Sequence, residues 1–291
     1  IDLLQAESVI DVINAKSEKE AKTGVKLLEG VLSKKIKEIK QEILDVMVNV
    51  DVSIDYPEYD VDDVTNGEIL SMLASVRTKL EALEKSFDNG KLIKEGIKTA
   101  IIGKPNAGKS SLLNAILKED RAIVTEYEGT TRDTIEEFVT IEGVPLKLID
   151  TAGIRDAKDE VEKIGIKKSK EIASDADLVI AIFDSSKELS KEDIEILDII
   201  NGKKSIILLN KADLNSVLKE NDERFTNITD NVIKISALNG DGLEKLYALI
   251  SKMFNLEEIN VDNDVIITNL RHKNLISKAI ENVKKTQDTI E

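Results

Sequence analysis

Two long stretches of the chain place apolar residues three or four positions apart, the spacing of one buried face of an α-helix. The first begins at Val25 and continues with Leu28, Leu32, Ile36, Ile39, Ile43, Val46 and Val50. The second, which Thr65 or Asn66 caps and Asp88–Asn89–Gly90 ends, comprises Ile69, Leu73, Val76, Leu80, Leu83 and Phe87. The pattern predicts a hairpin of two long helices whose apolar faces need further helices to cover them.

From about residue 97 the pattern changes to short apolar runs that alternate with helical segments. The runs cover 97–102, 136–141, 146–150, 177–184, 205–210 and 232–236, and the helical patterns lie near 109–118, 161–173, 191–199 and 242–253. Continuous apolar runs are typical of strands buried on both faces of a parallel sheet. Only residues 142–145 separate the second and third runs, so this pair is predicted to be antiparallel.

A last helical pattern follows residue 256 and comprises Leu270, Ile276, Ala279, Ile280 and Val283. We expect this helix to fold back onto the N-terminal helices. The predicted architecture is therefore a mixed, mostly parallel α/β domain over 94–256, inserted into an all-α helical domain made of residues 1–93 and 257–291.

Composition narrows the function classes. The chain has 291 residues, no Cys and a formal net charge of −15. Without Cys, the chain can form neither a disulfide nor a thiolate metal site. Its net negative charge argues against an extended surface that binds the phosphate backbone of nucleic acid. No apolar run in the given sequence approaches 18 residues, and none of its segments has the pattern of a signal peptide. We expect a cytoplasmic protein without a membrane span and, because residue 1 is Ile, a fragment.

The segment "GKPNAGKS", residues 103–110, matches the phosphate-loop pattern G-x-x-x-x-G-K-[ST] between a predicted strand and a predicted helix. Its backbone N–H groups are expected to bind phosphate oxygens. Lys109 would reach the β- and γ-phosphates, and Ser110 would ligate Mg²⁺. Asn106 stands in this loop although the pattern does not require it.

The base is predicted from "NKAD", residues 210–213, which follows a strand about a hundred residues after the phosphate loop. Asp213 can accept hydrogen bonds from N1–H and N2 of guanine, and adenine has no donor at those positions. The segment "SAL", residues 236–238, places the Ala237 N–H near guanine O6. The sequence therefore predicts a P-loop GTPase domain of the Ras-like type that binds GTP and GDP.

Two further motifs predict the switch segments that respond to the γ-phosphate. In "DTAG", Asp150 would hold Mg²⁺ through water and the Gly153 N–H would contact the γ-phosphate. In "EGTTRD", residues 128–133, Thr131 would complete the Mg²⁺ shell. The predicted nucleotide-binding set is Gly103, Asn106, Ala107, Gly108, Lys109, Ser110, Ser111, Asp150, Gly153, Asn210, Lys211, Asp213, Ser236 and Ala237.

The residue after Gly153 is Ile154, which cannot orient water as the Gln of Ras-like enzymes does. The water must be positioned from elsewhere. Spacing alone does not choose among the carboxylates Asp156, Asp159, Glu160 and Glu162. It does not decide either whether Arg132 or Arg155 stabilises charge.

The segments "GKPNAGKSSLLNAI", "EGTTRD", "DTAGIRDAKDEVEKIGI" and "NKAD", with the flanks "LLQAESVIDVINAKSEKEAK" and "ITNLRHKNLI", resemble the MnmE (TrmE) family of tRNA-modification GTPases. The resemblance covers nearly the whole chain. It implies that the GTPase domains dimerise across their switches, that Asn106 ligates K⁺ at the nucleotide, and that Glu162 orients the water. Lys109, Thr131 and Glu162 are thus the expected catalytic residues.

The resemblance also implies work with the FAD protein MnmG in modifying carbon 5 of the wobble uridine of certain tRNAs. The family's N-terminal domain, which binds a folate derivative, and its C-terminal Cys-x-Gly-Lys motif have no counterpart in these residues. We therefore expect GTP hydrolysis here and the folate only in the full-length parent. The alternative is a regulatory GTPase of ribosome assembly, which shares the phosphate loop but usually carries a basic RNA-binding domain.

Overall fold

The computed structural model describes residues 2–55, 66–118, 137–141, 143–149, 165–259 and 265–290. These residues divide into two compact units. One comprises Ile1–Lys94 and Ile259–Glu291, and the other comprises Glu95–Glu258. The predicted domain limits at 93/94 and 256/257 stay predictions.

The first unit is helical. Its described helices are α1 Leu3–Ile13, α2 Glu18–Leu28, α3 Val31–Asp55, α4 Asn66–Glu95 and the C-terminal helix Leu270–Ile290. The predicted stripe of α4, from Ile69 to Phe87, is buried as expected. Ile276, Ile280 and Val283 of the C-terminal helix join the same apolar core as α2, α3 and α4. The predicted return of this helix to the N-terminal helices is confirmed.

Two helix boundaries differ from the prediction, and glycine explains both. The expected single helix from Val25 to Val50 is interrupted, because Gly30 adopts φ 82° between α2 and α3. Gly30 N–H donates to Leu27 O, which closes α2. Conversely, α4 does not stop at Gly90 but continues to Glu95. A Cβ at position 90 would lie 1.9 Å from Ile267 O, so this glycine permits a close backbone approach inside the helix.

The second unit is an α/β domain. Its strands are β1 Ile97–Ile102, β2 Glu137–Ile141, β3 Val144–Ile149, β4 Leu178–Asp184, β5 Ser205–Asn210 and β6 Val232–Lys234. Its helices are α5 Lys109–Lys118, α6 Gly165–Asp175, α7 Lys191–Ile200, α8 Glu223–Thr226 and α9 Leu243–Met253, so the C-terminal helix of the first unit is α10.

The strand order is β2-β3-β1-β4-β5-β6. The β2–β3 pair is antiparallel, as predicted, and the other neighbouring pairs are parallel. Every residue of β4 and β5 is buried, which accounts for their continuous apolar runs. Since β1, β4, β5 and β6 are parallel, their carboxyl ends share one edge of the sheet. The predicted fold class, a mostly parallel P-loop GTPase sheet with a flanking helical domain, is therefore confirmed.

Candidate nucleotide site

The predicted phosphate loop lies between β1 and α5, at the carboxyl edge of the sheet. Asn106 and Gly108 have φ angles of 61° and 106°, which turn the chain back toward the start of α5. Lys109 Nζ donates to Gly103 O at 2.7 Å and to Lys104 O at 2.9 Å, so the lysine lies across the loop. The loop therefore presents a lysine and the first turn of a helix on one side, an arrangement suited to phosphate.

Asn210, the first residue of the segment 210–213, contacts both this loop and the segment 236–237. Its side chain is buried, and its Nδ2 donates to Ala107 O at 2.8 Å. Its Oδ1 accepts from Ala237 N–H at 2.9 Å. The phosphate loop, the segment 210–213 and the segment 236–237 are thus held together through one amide side chain. Their predicted convergence is observed, while their roles in binding stay predictions.

Asp213 and Ser236 form the next link around the predicted base pocket. Ser236 Oγ donates to Asp213 Oδ1 at 2.6 Å, and the Asp213 residue is exposed. Ser236 itself is fixed, since its N–H donates to Asp241 O and its carbonyl accepts from Gly240 N–H. An exposed carboxylate with one oxygen held by a buried serine is oriented in advance for a ligand that offers N–H groups.

Lys211 has φ 63° and pairs with a residue that the sequence patterns did not single out. Its Nζ lies 2.6 Å from Asp184 Oδ2, at the end of β4. Burial raises the pKa of Asp184, but hydrogen bonds from Lys211 and Ser186 outweigh it and hold the pKa below its ordinary value. Asp184 closes an apolar strand run, which is the only sequence signal it gives.

Several predicted residues lie outside the described residues: Thr131, Arg132, Asp150, Gly153, Arg155 and Glu162. Of the predicted cation ligands, Ser110 is exposed at the first turn of α5 and Asn106 is exposed in the phosphate loop. Hydroxyl and amide oxygens are ligands that hard cations accept, so both residues fit their predicted roles. Elsewhere in the described ranges, no cluster of three or more His, Cys, Asp or Glu could hold a metal.

Comparison with known proteins points to one family. The family model described as the MnmE helical domain matches residues 3–291. A Finegoldia magna protein named tRNA modification GTPase MnmE is 48% identical over 291 residues, covering 100% of this chain and 64% of that protein. A Clostridioides difficile protein of the same name is 48% identical over 281 residues, covering 96% and 61%. The chain thus spans somewhat under two thirds of these relatives.

Solved structures are more distant. The cytosolic domain of the T. maritima FeoB iron transporter is 27% identical, with a TM-score of 0.40, and the match covers 60% of this chain and 66% of that one. A TM-score of this size supports no functional conclusion.

Among the helices that the structure describes, none is long and apolar enough to cross a membrane. The match over residues 3–291, together with the phosphate loop and the NKAD segment that Asn210 joins, shows that the chain belongs to the MnmE family.

Proposed function

We propose that this chain binds GTP and hydrolyses it to GDP and phosphate. The observation that carries the proposal is the Asn210 side chain, which ties the phosphate loop to the segment beside the predicted guanine pocket. The two loops are thereby held to each other before a nucleotide binds, and binding would lose less conformational entropy than it would with separate loops. Calorimetry with GDP and Mg²⁺, with ADP as the control, tests it: absence of heat with GDP would refute it.

The hydrolysis step transfers the γ-phosphoryl group to water, so the bond to the β–γ bridging oxygen breaks and GDP leaves. In the proposed role, Lys109 contacts the β- and γ-phosphates, while Ser110 and Thr131 are Mg²⁺ ligands and Asn106 is a K⁺ ligand. The bound cations would neutralise negative charge that develops on the phosphate oxygens. Glu162 would orient the attacking water, the task that Ile154 cannot perform.

We further propose that the hydrolysis serves tRNA modification. The relatives in Finegoldia magna and Clostridioides difficile are named tRNA modification GTPases. The proposed partners are MnmG, tRNA reached through that complex, and a second copy of the chain that pairs through the GTPase domains in the triphosphate state. The modification would be of the aminomethyl or carboxymethylaminomethyl type at carbon 5 of the wobble uridine. Co-purification with MnmG rather than with ribosomal subunits is the expected result.

The rate of GTP hydrolysis is expected to be at least about tenfold higher in KCl than in NaCl at equal ionic strength, because K⁺ would stabilise transition-state charge at Asn106. Phosphate release is measured against protein concentration in both salts. A steep rise with concentration in KCl alone would support pairing through the switches. Equal rates in the two salts, with GTP bound in both, would contradict the role of Asn106.

Replacing the proposed water-orienting residue, Glu162→Ala, is expected to lower kcat about a hundredfold, the usual contribution of a positioned general base. GDP affinity is expected to stay nearly unchanged, because the residue would act on water and not on the nucleotide. Glu160→Ala, two positions away, is the matched control and should retain the wild-type rate. A wild-type rate in Glu162→Ala would remove this residue from the mechanism.

A further inference from the structure

We propose that the β4–α7 connection, taken here from the last residue of β4 to the first turn of α7 (residues 184–193), positions both nucleotide-binding loops through two carboxylate–lysine pairs. This inference rests on the proposed function. The connection carries none of the recognised nucleotide motifs. It nevertheless supplies Asp184, which holds Lys211 of the base segment, and Asp193, which holds Lys104 of the phosphate loop.

The first pair anchors the base segment. The Asp184 side chain is 3% exposed, and its Oδ2 lies 2.6 Å from Lys211 Nζ. The other oxygen, Oδ1, accepts from the N–H and Oγ of Ser186 at 3.1 and 2.6 Å, so the carboxylate itself cannot rotate freely. The next residue, Ser185, donates its N–H to Asn210 O at 2.8 Å. The end of β4 therefore holds both the backbone of Asn210 and the side chain of Lys211.

The second pair anchors the phosphate loop. The Asp193 side chain is 2% exposed and its Oδ2 lies 2.5 Å from Lys104 Nζ. The same oxygen accepts from Ser190 N–H and Oγ at 2.9 and 2.8 Å, within the capping box that begins α7. Its second oxygen, Oδ1, is buried without a hydrogen bond in the part of the chain that the structure describes. Lys104 thus supplies positive charge to a carboxylate that is otherwise held by the neutral groups of Ser190.

The position of Lys104 matters because its backbone contacts the proposed phosphate-binding lysine. Lys104 O accepts from Lys109 Nζ at 2.9 Å and from Ala107 N–H at 3.2 Å. Fixing the Lys104 side chain on Asp193 therefore also fixes the carbonyl on which Lys109 lies. Asp193 acts through Lys104 and is a positioning residue, as Asp184 is through Lys211.

A purely electrostatic role predicts the opposite effect on affinity. Each aspartate adds negative charge near a site for an anionic nucleotide, so its removal should strengthen binding if only long-range charge mattered. Loss of positioning weakens binding instead, because the freed lysine and loop must be ordered when the nucleotide binds. A buried ion pair adds little net stability compared with apolar residues, whereas it defines geometry closely. The sign of the affinity change therefore separates the two explanations.

The test uses the whole chain with Asp184→Asn and Asp193→Asn, which keep the size of each side chain. Each is expected to raise the Kd for a fluorescent GDP analogue at least about fivefold, mainly through faster dissociation, while kcat at saturating GTP changes less than about twofold. Asp222→Asn is the control. It weakens an ion pair of 2.5 Å with Arg224 in the same unit, at a site that contacts neither loop, and should leave the Kd unchanged.

A second variant covers the case in which Asp193→Asn does not fold. Lys104→Met with Asp193→Leu removes both charges together, which proteins tolerate far better than removal of one partner, and should raise the Kd to a similar extent. Unchanged or tighter GDP binding in these variants would overturn the inference, and so would an effect at only one of the two pairs. If the wild-type chain bound no GDP, the proposed function itself would fail.

Discussion

Asp213→Asn is expected to change the nucleotide preference of this chain from guanine to xanthine. The Asp213 carboxylate would accept from N1–H and N2 of guanine, and both are charge-assisted bonds. Asparagine replaces one of these acceptors with an amide donor, which would face the guanine amino group. Xanthine carries a carbonyl at the same carbon and would accept from that amide. We expect GDP affinity to fall at least about a hundredfold, with XDP then binding more tightly than GDP.

The structure makes this variant a clean test, because Ser236 Oγ donates to Asp213 Oδ1 and an asparagine oxygen can accept the same bond. The loop should therefore keep its geometry. Competition between GDP and XDP for a fluorescent nucleotide gives the two affinities. Asp241→Asn is the matched control and should keep the guanine preference. Asp241 is exposed, and it contacts Ser236 through its backbone oxygen, which accepts from the Ser236 N–H. Unaltered GDP affinity in Asp213→Asn would mean that the base is not held at this residue.

The sheet and the long apolar stripe could be predicted from sequence because their signals are local and repeated. β4 contains an uninterrupted apolar run at 178–183 and β5 one at 206–209, and every residue of both strands is buried. The apolar stripe of α4 repeats over about five turns, so a single polar residue at one of its positions would not hide the helical period. The antiparallel β2–β3 pair followed from the length of its connection, which is a limit on chain reach.

The helix boundaries could not be read in the same way. Gly30 and Gly90 are the same residue type in two helical patterns, yet one ends a helix and the other lies inside one. The difference is tertiary: the backbone of Ile267, far along the chain, packs against Gly90. The apolar pattern does not predict the first helix, Leu3–Ile13. Its apolar residues Leu3, Ile10 and Ile13 are exposed, so apolar positions do not mark a single buried face. Its capping box of Asp2 and Gln5 is the signal that marks it.

In the candidate site, too, local features could be predicted from sequence and long-range contacts could not. Residues 103–110 and 210–213 are contiguous motifs whose chemistry is fixed by short spacing. The supporting contacts join residues that are distant in sequence: Asp193 reaches Lys104 across 89 positions, and Asn210 reaches Ala107 across 103. An isolated aspartate in a sequence has no pattern that announces such a partner. Sequence therefore predicts the groups that would touch the nucleotide but not the contacts that hold them in place.

Gly108→Ala is expected to abolish tight nucleotide binding and to lower the melting temperature. Gly108 has φ 106°, and a Cβ built on it would lie 2.0 Å from Asn210 Nδ2. The methyl group would therefore push away the amide that links the phosphate loop to Ala237. Left-handed backbone alone costs a non-glycine residue about 1–2 kcal/mol, and the buried groups freed from Asn210 would add about 1–3 kcal/mol.

Gly202→Ala separates these two contributions. Gly202 also has a left-handed backbone, with φ 75°, but a Cβ there would meet no atom within 4 Å. It should lower the melting temperature by the backbone cost alone and leave GDP affinity unchanged. Thermal unfolding with and without GDP measures both quantities, and GDP should no longer stabilise Gly108→Ala. If the two variants lost equal stability and both were still stabilised by GDP, the Asn210 link could not be what holds the two loops together for nucleotide binding.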